Sequence, residues 1–363
     1  MSVRDGVTDP AAAPEAAAGI GPGSRVAEEP RAGRARLALR LATVLVTVAF
    51  TYLAVHGIDV PRAWRGLRGS DGWWLVPALG VFALGNVARA LRWRSLFPIG
   101  RRPRFATTLD AMMIGYLYNN ILPARAGEAA RVVVLTRRSS SPPFEITATV
   151  LLERIYDTGA ILLVFLVAQP WLPSVSWFGA ATLAAAVLAG VIAVATCVLV
   201  VYGDRPLRAL LRPTRRFAPV TEERAERIVA ELTRGLSGLH DWRVAGEALV
   251  WTLAAWIMSS LCAFFVALAF HLHVGFAGGI LVMVAIGLGM ILPAAPASVG
   301  VFEGATLIAL QAFGVGRSAG LPYALVLHLV NFVPFVAVGA WLLHHNSRRP
   351  RTSDVPAGDA PPL

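Results

Sequence analysis

Apolar segments as long as a membrane-spanning helix constrain this chain more than any other feature of its sequence. A helix needs about 20 residues to cross a hydrocarbon core about 30 Å thick. Six apolar segments meet that length, and three more are short or interrupted by polar residues and proline. The long segments are 37–56, 72–91, 146–169, 174–202, 247–272 and 322–344, and the short ones are 105–122, 278–292 and 301–315.

The composition excludes an ordinary soluble protein. Hydrophobic residues make up 56% of the 363 residues and charged residues 15%, whereas soluble domains have roughly 45–50% apolar and about 25% charged residues. The basic residues are 33 arginines, and the formal net charge is +11. That charge would suggest nucleic acid in a soluble protein, but membrane proteins place it in cytoplasmic loops. We therefore expect the membrane bilayer, and no nucleic acid, as a partner.

The positions of the arginines predict the orientation of the chain. With the N-terminus and the C-terminus both cytoplasmic, 28 of the 33 arginines fall inside, including the six within residues 89–104. The reverse orientation would put these 28 outside, against the positive-inside rule. The candidates for chemistry among the arginines are then Arg125, Arg131 and Arg154.

The positions of the same arginines predict that the short segments form hairpins. Arg104 and Arg137 both belong inside, so residues 105–136 would enter and leave through the cytoplasmic face. Residues 278–315 begin and end outside, so they form either a hairpin from the external face or two short full spans. The prediction is an all-α polytopic membrane protein with about six full transmembrane helices and two re-entrant hairpins built from broken helices.

The two hairpins share a short sequence echo. Each is interrupted at Ile-Leu-Pro-Ala, at residues 121–124 and 291–294. Breaks that enter from opposite faces are typical of the inverted repeats of transporters. The alternative is a chance match of four residues in a chain rich in Leu, Ala and Pro.

Little of the chain is predicted to lie outside the membrane. Residues 1–36 and 345–363 are expected to be disordered cytoplasmic tails, and residues 37–344 an integral membrane domain. Within that domain, the cytoplasmic loop 203–246 has apolar residues at helical spacing. This loop is either an amphipathic helix on the inner membrane surface or a solvated connector.

The first group of candidate site residues surrounds the break in the first hairpin. A helix that restarts near Gly127 would present its positive end there. With Arg125 and Arg131 it would seat an anion such as a lipid phosphate. Alternatively, Glu128 caps its own helix and pairs with Arg125 or Arg131 as a rigid plug. The group comprises Asn119, Asn120, Pro123, Arg125, Gly127, Glu128 and Arg131.

The second group, Glu153, Arg154 and Asp157, lies inside the span 146–169. Ionisable residues at membrane depth are costly, and they therefore indicate function. Arg154 and Asp157 are three residues apart on a helix and can pair. The remaining negative charge would be balanced by Arg125 or Arg131. The alternatives are a substrate-facing role and an ion-pair lock between the hairpin and this span.

The break in the second hairpin supplies the third group, which comprises Pro293, Pro296, Ser298, Gly300 and Glu303. The two prolines cannot continue a helix. Glu303 lies in the first turn of the restarted helix, where its charge complements the helix dipole. It either caps this helix or lines a polar path.

The sequence predicts neither a metal site nor a cofactor. Cys197 and Cys262 both lie in apolar runs. His271 and His273 lack a third ligand nearby, and a zinc site needs at least three protein ligands. The nucleotide-binding P-loop and the common hydrolase motifs are missing from the sequence. We therefore do not expect ATP-driven transport within this chain.

These three groups, in this order, resemble the lysylphosphatidylglycerol synthase transmembrane-region family, also called flippase-like or UPF0104 proteins. The motifs are Asn120-Ile-Leu-Pro-Ala-Arg-Ala-Gly-Glu128, Glu153-Arg-x-x-Asp157 and Pro293-x-x-Pro-x-Ser-x-Gly-Val-Phe-Glu303. The resemblance implies a bacterial plasma (inner) membrane protein linked to moving aminoacylated phosphatidylglycerol. The best-known members carry a cytosolic aminoacyl-transferase domain after this region. Few residues follow the last span, so the synthase activity is not expected and the chain is not predicted to be an enzyme.

The expected function is translocation of a phospholipid or another lipid-linked headgroup across the membrane. Arg125 and Arg131 would hold the phosphate. One alternative is a membrane enzyme that modifies lipid or polyprenyl headgroups with these carboxylates as acid and base. Another is a non-transporting partner of a lipid synthase or glycosyltransferase. The carboxylates that would balance charge or attract a cationic headgroup are Glu128, Glu153, Asp157 and Glu303.

Overall fold

The computed structural model describes residues 59–122, 126–176, 178–202, 222–236, 240–290 and 296–347, with five isolated residues besides. These residues belong to the compact unit Leu41–Leu363. They include eleven bounded α-helices, and no described residue lies in a strand, which agrees with an all-α protein. The helices are α1 (Val60–Arg68), α2 (Leu75–Ser95), α3 (Phe105–Ile121), α4 (Ala126–Thr136), α5 (Pro143–Ala168), α6 (Phe178–Tyr202), α7 (Glu222–Leu236), α8 (Trp242–Ala269), α9 (Gly275–Gly289), α10 (Val301–Ala312) and α11 (Arg317–Ser347).

Four stretches among the described helices are long and apolar enough to cross a membrane. They are Gly72–Ser95, Phe178–Val198, Trp242–Ala269 and Arg317–His345, and they match four of the six predicted spans. The predicted span 146–169 corresponds to α5, which has 26 residues but carries three charged side chains in its middle. The predicted span 37–56 and the predicted tails fall almost wholly outside the described residues.

Aspartate side chains cap two of the helix starts. Asp71 precedes a short 3-10 turn, Gly72–Trp74, and its carboxylate accepts the Trp73 N–H at 3.2 Å. Asp241 does the same for the Arg243 N–H at the start of α8, at 2.9 Å. Such caps satisfy N–H groups that lack a partner in the first turn.

The predicted first hairpin consists of α3 and α4, which pack against each other. They run antiparallel, because Gly127 lies against Gly115 near the break and Arg138 pairs with Asp110 at the other end. A Cβ atom on Gly127 would lie 1.9 Å from the Gly115 carbonyl oxygen, so the two backbones are in direct contact. At 1.5 Å per residue, α4 rises only about 16 Å, roughly half of a hydrocarbon core.

The predicted second hairpin consists of α9 and α10, with 15 and 12 residues. The two helices pack together, and Gly289 at the end of α9 lies beside Val301 at the start of α10. The 3-10 turn Pro296–Ser298 precedes α10 and contacts α3. The second break is therefore packed against the first hairpin.

The packed helices contain two separate apolar cores, which lie at different positions along the helices that they share. The Trp256 core gathers residues of α2, α5, α6, α8, α9, α10 and α11 around Trp256. The Trp93 core gathers residues of α2, α3, α4, α5, α7, α8 and α11 around Trp93. α2 contributes Phe82 to the first core and Trp93 to the second, and α5 contributes Phe165 and Leu152 in the same way. The stretches of α2 and α5 between these residues thus lie between the cores.

The amphipathic helix predicted in the loop 203–246 is present as α7. Val229 and Leu236 are buried, while Glu223 and Arg227 are exposed and pair at 3.5 Å. The apolar face packs on α5. Its contact with the inner membrane surface stays a prediction.

Candidate functional site

A group of three arginines and three carboxylates lies between the two apolar cores. Glu153 on α5 is at its centre, with 1% of its side chain exposed. Its carboxylate lies 2.9 Å from the Arg92 guanidinium on α2 and 3.0 Å from the Arg131 guanidinium on α4. A third contact, at 3.3 Å, comes from Arg154 on α5. We call this group, completed by Asp157 and Glu128, the arginine network.

Asp157 extends the arginine network to a further helix. Its carboxylate pairs with Arg92 and lies 3.8 Å from Arg154. It also accepts the indole N–H of Trp256 on α8, at 3.3 Å. Glu128 on α4 reaches Arg154 at 3.6 Å. The network therefore joins α2, α4, α5 and α8, which puts its members in one place although they are far apart in sequence.

Burial divides the arginine network into an inner and an outer part. The inner part is Glu153, Arg92 and Arg131, with side chains 1–3% exposed. The outer part is Asp157, Glu128 and Arg154, with side chains 19%, 29% and 35% exposed. Formal charges sum to zero over the six residues. Neutrality matters because an uncompensated ion out of water costs several kcal/mol.

The second predicted group is thus brought together with Glu128 and Arg131 of the first. The balancing charge predicted from Arg131 is confirmed, because Arg131 pairs with Glu153. Its guanidinium carbon also lies 4.9 Å from the centre of the Trp93 ring, a cation–π distance. This geometry favours the ion-pair lock over phosphate binding for Arg131. Arg125 and Pro123 lie outside the described residues.

The asparagine at the first break has a local structural role. Asn119 on α3 accepts the Gly127 N–H at 2.9 Å through its side-chain oxygen. It thereby caps α4 from across the hairpin, which adds to the backbone contact between the two helices. Its neighbour Asn120 is half-buried.

The second break forms a separate cluster around Glu303. One carboxylate oxygen accepts the Gly300 N–H at 2.7 Å, which confirms that Glu303 caps α10. The other lies 2.6 Å from Nδ1 of His328 on α11. The remaining ring nitrogen of His328, Nε2, is 3.0 Å from the Ala297 carbonyl oxygen. The Phe302 ring stacks on the imidazole at 4.5 Å between centroids.

The turn before α10 has an unusual backbone. Ala297 and Ser298 have φ values of 58° and 56°. This left-handed conformation costs a non-glycine residue roughly 1–2 kcal/mol, so surrounding contacts must hold it in place. Ser298 is half-buried, the Pro296 backbone begins the turn, and Pro293 lies outside the described residues.

Sequence reasoning missed Arg92, Trp256 and His328. Arg92 was counted among the cytoplasmic arginines and left out of the candidates for chemistry, whereas it is 1% exposed and pairs with two carboxylates. The sequence did contain one signal, because Arg89 and Arg92 are three residues apart and therefore share a helix face. In the structure, Arg89 donates to Ser259 of α8 at 2.8 Å. His328 has no signal in its own surroundings, because its partner is on another helix.

The sequence is similar to those of known membrane proteins. A family model described as the lysylphosphatidylglycerol synthase TM region matches residues 38–339. A "UPF0104 membrane protein" of Methanothermobacter thermautotrophicus is 26% identical over 282 residues, which cover 74% of this chain and 82% of that protein. The family model extends over the region that holds the two breaks and the arginine network.

Proposed function

Since the chain belongs to the family of the lysylphosphatidylglycerol synthase TM region, we propose that this membrane protein translocates a phospholipid or another lipid-linked headgroup. The lipid would cross the bilayer without chemical change. The headgroup would bind at the outer part of the arginine network, formed by Arg154, Glu128 and Asp157. Partnership with a lipid synthase or glycosyltransferase stays a prediction.

The observation that carries the proposal is the looseness of the contacts around Arg154. Its distances to Glu128 and Asp157, 3.6 and 3.8 Å, are the longest in the network, and these three side chains are its most exposed ones. Weak ion pairs in contact with water exchange partners at little cost. A lipid phosphate would therefore take Arg154, since arginine suits phosphate recognition.

The same exchange of ion-pair partners would accommodate a headgroup that carries both a phosphate and an amino group. When phosphate takes Arg154, the carboxylates of Glu128 and Asp157 lose that cation, while Asp157 keeps its contacts with Arg92 and Trp256. An amino group of the same headgroup would then take the place of Arg154 beside the two carboxylates. The buried pairs of Glu153 with Arg92 and Arg131 would keep the helices in place meanwhile. Arg125, next to the described start of α4, would add a second phosphate contact.

We also infer a membrane arrangement of about six full spans and two re-entrant hairpins, with both termini cytoplasmic, in a bacterial plasma membrane. The shortness of α4 supports re-entry of the first hairpin, because about 16 Å does not cross the hydrocarbon core. The contact of the turn Pro296–Ser298 with α3 supports an arrangement in which the two breaks meet inside the bilayer. Opposed breaks of this kind agree with an inverted repeat.

A vesicle assay tests the proposed function. Purified protein would be reconstituted with fluorescent short-chain phosphatidylglycerol, lysyl-phosphatidylglycerol or a polyprenyl phosphate, and quenching from outside would measure movement between leaflets. We expect protein-dependent movement of at least one probe, and about a tenfold loss in Arg154→Gln, the effect of about 1.4 kcal/mol.

The matched control is Arg138→Gln. Arg138 also pairs with a carboxylate of the first hairpin, Asp110 at 3.2 Å, and its exposure of 31% is close to the 35% of Arg154. It should leave translocation unchanged. No movement of any probe would exclude the proposal. Turnover of a lipid by the purified protein, lost in Glu153→Gln, would instead favour the enzyme.

A further inference from the structure

The contacts of His328 define how many protons the second break holds. Nδ1 lies 2.6 Å from a Glu303 carboxylate oxygen, and Nε2 lies 3.0 Å from the Ala297 carbonyl oxygen. A carbonyl oxygen only accepts hydrogen bonds, and so does an ionised carboxylate. A neutral imidazole has one N–H and can satisfy one of these two contacts. Both contacts together require one proton more than neutral histidine and ionised glutamate provide.

That additional proton can lie on the imidazole ring of His328 or on the carboxylate of Glu303, and the net charge of the pair is the same in both cases. On the ring it gives an imidazolium beside a carboxylate, and on the carboxylate it gives a neutral acid that donates to Nδ1. In either form the pair of Glu303 and His328 has a net charge of zero. Release of the proton to water leaves a net charge of −1 and removes the hydrogen from one of the two contacts.

The surroundings make this change of charge matter. The side chains of Glu303 and His328 are 7% and 12% exposed. The aromatic rings of Phe302 and Phe332 pack on the imidazole. The pair is thus largely out of water, where an uncompensated charge is costly.

The helices that pack around this pair also carry other titratable groups, although α9 and α10 add no further charge. α9 contains no charged residue, and Glu303 is the one charged residue of α10. On α11, Tyr323 donates to the Ala263 carbonyl oxygen, while Arg317, His344 and His345 lie towards the helix ends. Tyr116 of α3 packs on Phe335 of α11 at 4.5 Å between ring centroids. The other described titratable residues on neighbours of α10 and α11 are Asp110 and Tyr118 on α3, Arg243, Glu247 and Cys262 on α8, Arg65 and Arg68 on α1, and Arg89, Arg92 and Arg94 on α2.

We propose that Glu303 and His328 together bind one proton whose release frees the turn Pro296–Ser298, so that lipid movement is coupled to proton movement. Without the proton, either the imidazole loses the Ala297 carbonyl or Glu303 loses the imidazole. Ala297 already has a left-handed backbone, and the turn it belongs to contacts α3 of the first hairpin. The inference rests on the proposed translocation and adds its coupling ion.

Glu303→Gln is the decisive variant, because it satisfies every contact without the additional proton. The glutamine oxygen accepts the Gly300 N–H, its amide donates to Nδ1, and neutral His328 donates from Nε2 to Ala297. The variant should therefore fold and keep His328 in one neutral form. His345→Gln is the matched control, since His345 is an exposed histidine of the same helix.

The proton itself is tested without any lipid. In ¹⁵N-histidine NMR of the purified full chain in bilayers, the resonances assigned to His328 by their loss in His328→Gln should move as the pH is raised. They should stay fixed in Glu303→Gln and move as in wild type in His345→Gln. Resonances that are fixed in wild type, or that move equally in Glu303→Gln, would overturn proton binding by the pair.

Coupling is tested in vesicles with whichever of the three fluorescent probes the wild type moves. If one proton accompanies one lipid, a difference of one pH unit across the membrane changes the steady-state ratio of probe between leaflets about tenfold. The ratio should not respond in Glu303→Gln, whatever its rate, and should respond fully in His345→Gln. Movement of the probe that ignores the gradient in wild type would overturn the coupling and leave translocation standing. A lack of movement would count against translocation and coupling together, while the NMR result on proton binding would stand by itself.

Discussion

The two helix breaks adjoin side chains of different chemistry. The first adjoins three arginines, which remain charged throughout the pH range of folded proteins. The second adjoins a carboxylate and an imidazole, Glu303 and His328, and histidine changes its charge near neutral pH. The difference teaches that fixed charges suit the binding of a headgroup, whereas a titratable pair suits the control of a conformation.

The breaks also differ in how tightly their helices pack. In the first hairpin the backbones of α3 and α4 touch at Gly127, and Asn119 caps α4 across the gap. In the second hairpin a Cβ atom on Gly289 would keep 3.3 Å from the Val301 side chain. At these two glycines the helices of the first hairpin pack more closely than those of the second, so we expect the first hairpin to be the more rigid. The predictions below test this contrast.

The largest effect is expected from Glu153→Gln. The change leaves Arg92 and Arg131 buried with too little negative charge, and loss of one partner of a buried ion pair costs about 3–5 kcal/mol. Denaturant titration in mixed detergent micelles should show that loss in the free energy of unfolding. Glu223→Gln is the control, because the Glu223 side chain is 87% exposed and should have little effect. Equal stability of the two variants would contradict a central role for Glu153.

A smaller loss is expected from Gly127→Ala. The added Cβ meets the Gly115 carbonyl at 1.9 Å, so the helices must separate, and overpacking typically costs about 1–3 kcal/mol. The corresponding Gly289→Ala should cost less than about 1 kcal/mol, because its nearest contact is a side chain at 3.3 Å. The same titration compares the two variants. A larger loss for Gly289→Ala would reverse the expected order of rigidity of the two hairpins.

The smallest effect is expected from Asn119→Ala. Loss of a side-chain cap typically costs about 1 kcal/mol, here through the Gly127 N–H. The neighbouring Asn120→Ala serves as the control, because Asn120 is also half-buried but does not cap α4. Thermal unfolding should rank Asn119→Ala below Asn120→Ala. Indistinguishable melting temperatures would show that the cap by Asn119 does not stabilise the first hairpin.

The sequence predicts those features that depend on neighbours along the chain. Lengths of apolar segments locate four spanning helices, and the polar and proline-rich interruptions locate both pairs of short helices. The capping role of Glu303 follows from its place in the first turn of α10. The pairing of Arg154 with Asp157 follows from their spacing on α5.

Contacts between helices could not be predicted in the same way. Arg92 and Glu153 are 61 positions apart in the sequence, and their ion pair depends on how α2 packs beside α5. The sequence did predict a positive partner for Glu153, because a buried negative charge requires one. The need for electrostatic neutrality predicts that the partner of Glu153 is positively charged. The packing of the helices determines that the partners are Arg92 and Arg131. His328 was missed for a similar reason, because a neutral histidine does not require a charged partner and its contact with Glu303 depends on helix packing.

The proposed translocation requires that the outer part of the arginine network binds a lipid headgroup. Mass spectrometry of lipids that co-purify with wild type, Arg154→Gln and Arg138→Gln tests this binding. We predict that one class of lipid is enriched over its share in the membrane in wild type and in Arg138→Gln. That enrichment should fall about tenfold in Arg154→Gln, the effect of one lost charged contact of about 1.4 kcal/mol. The same lipid profile in all three proteins would contradict the proposed headgroup site.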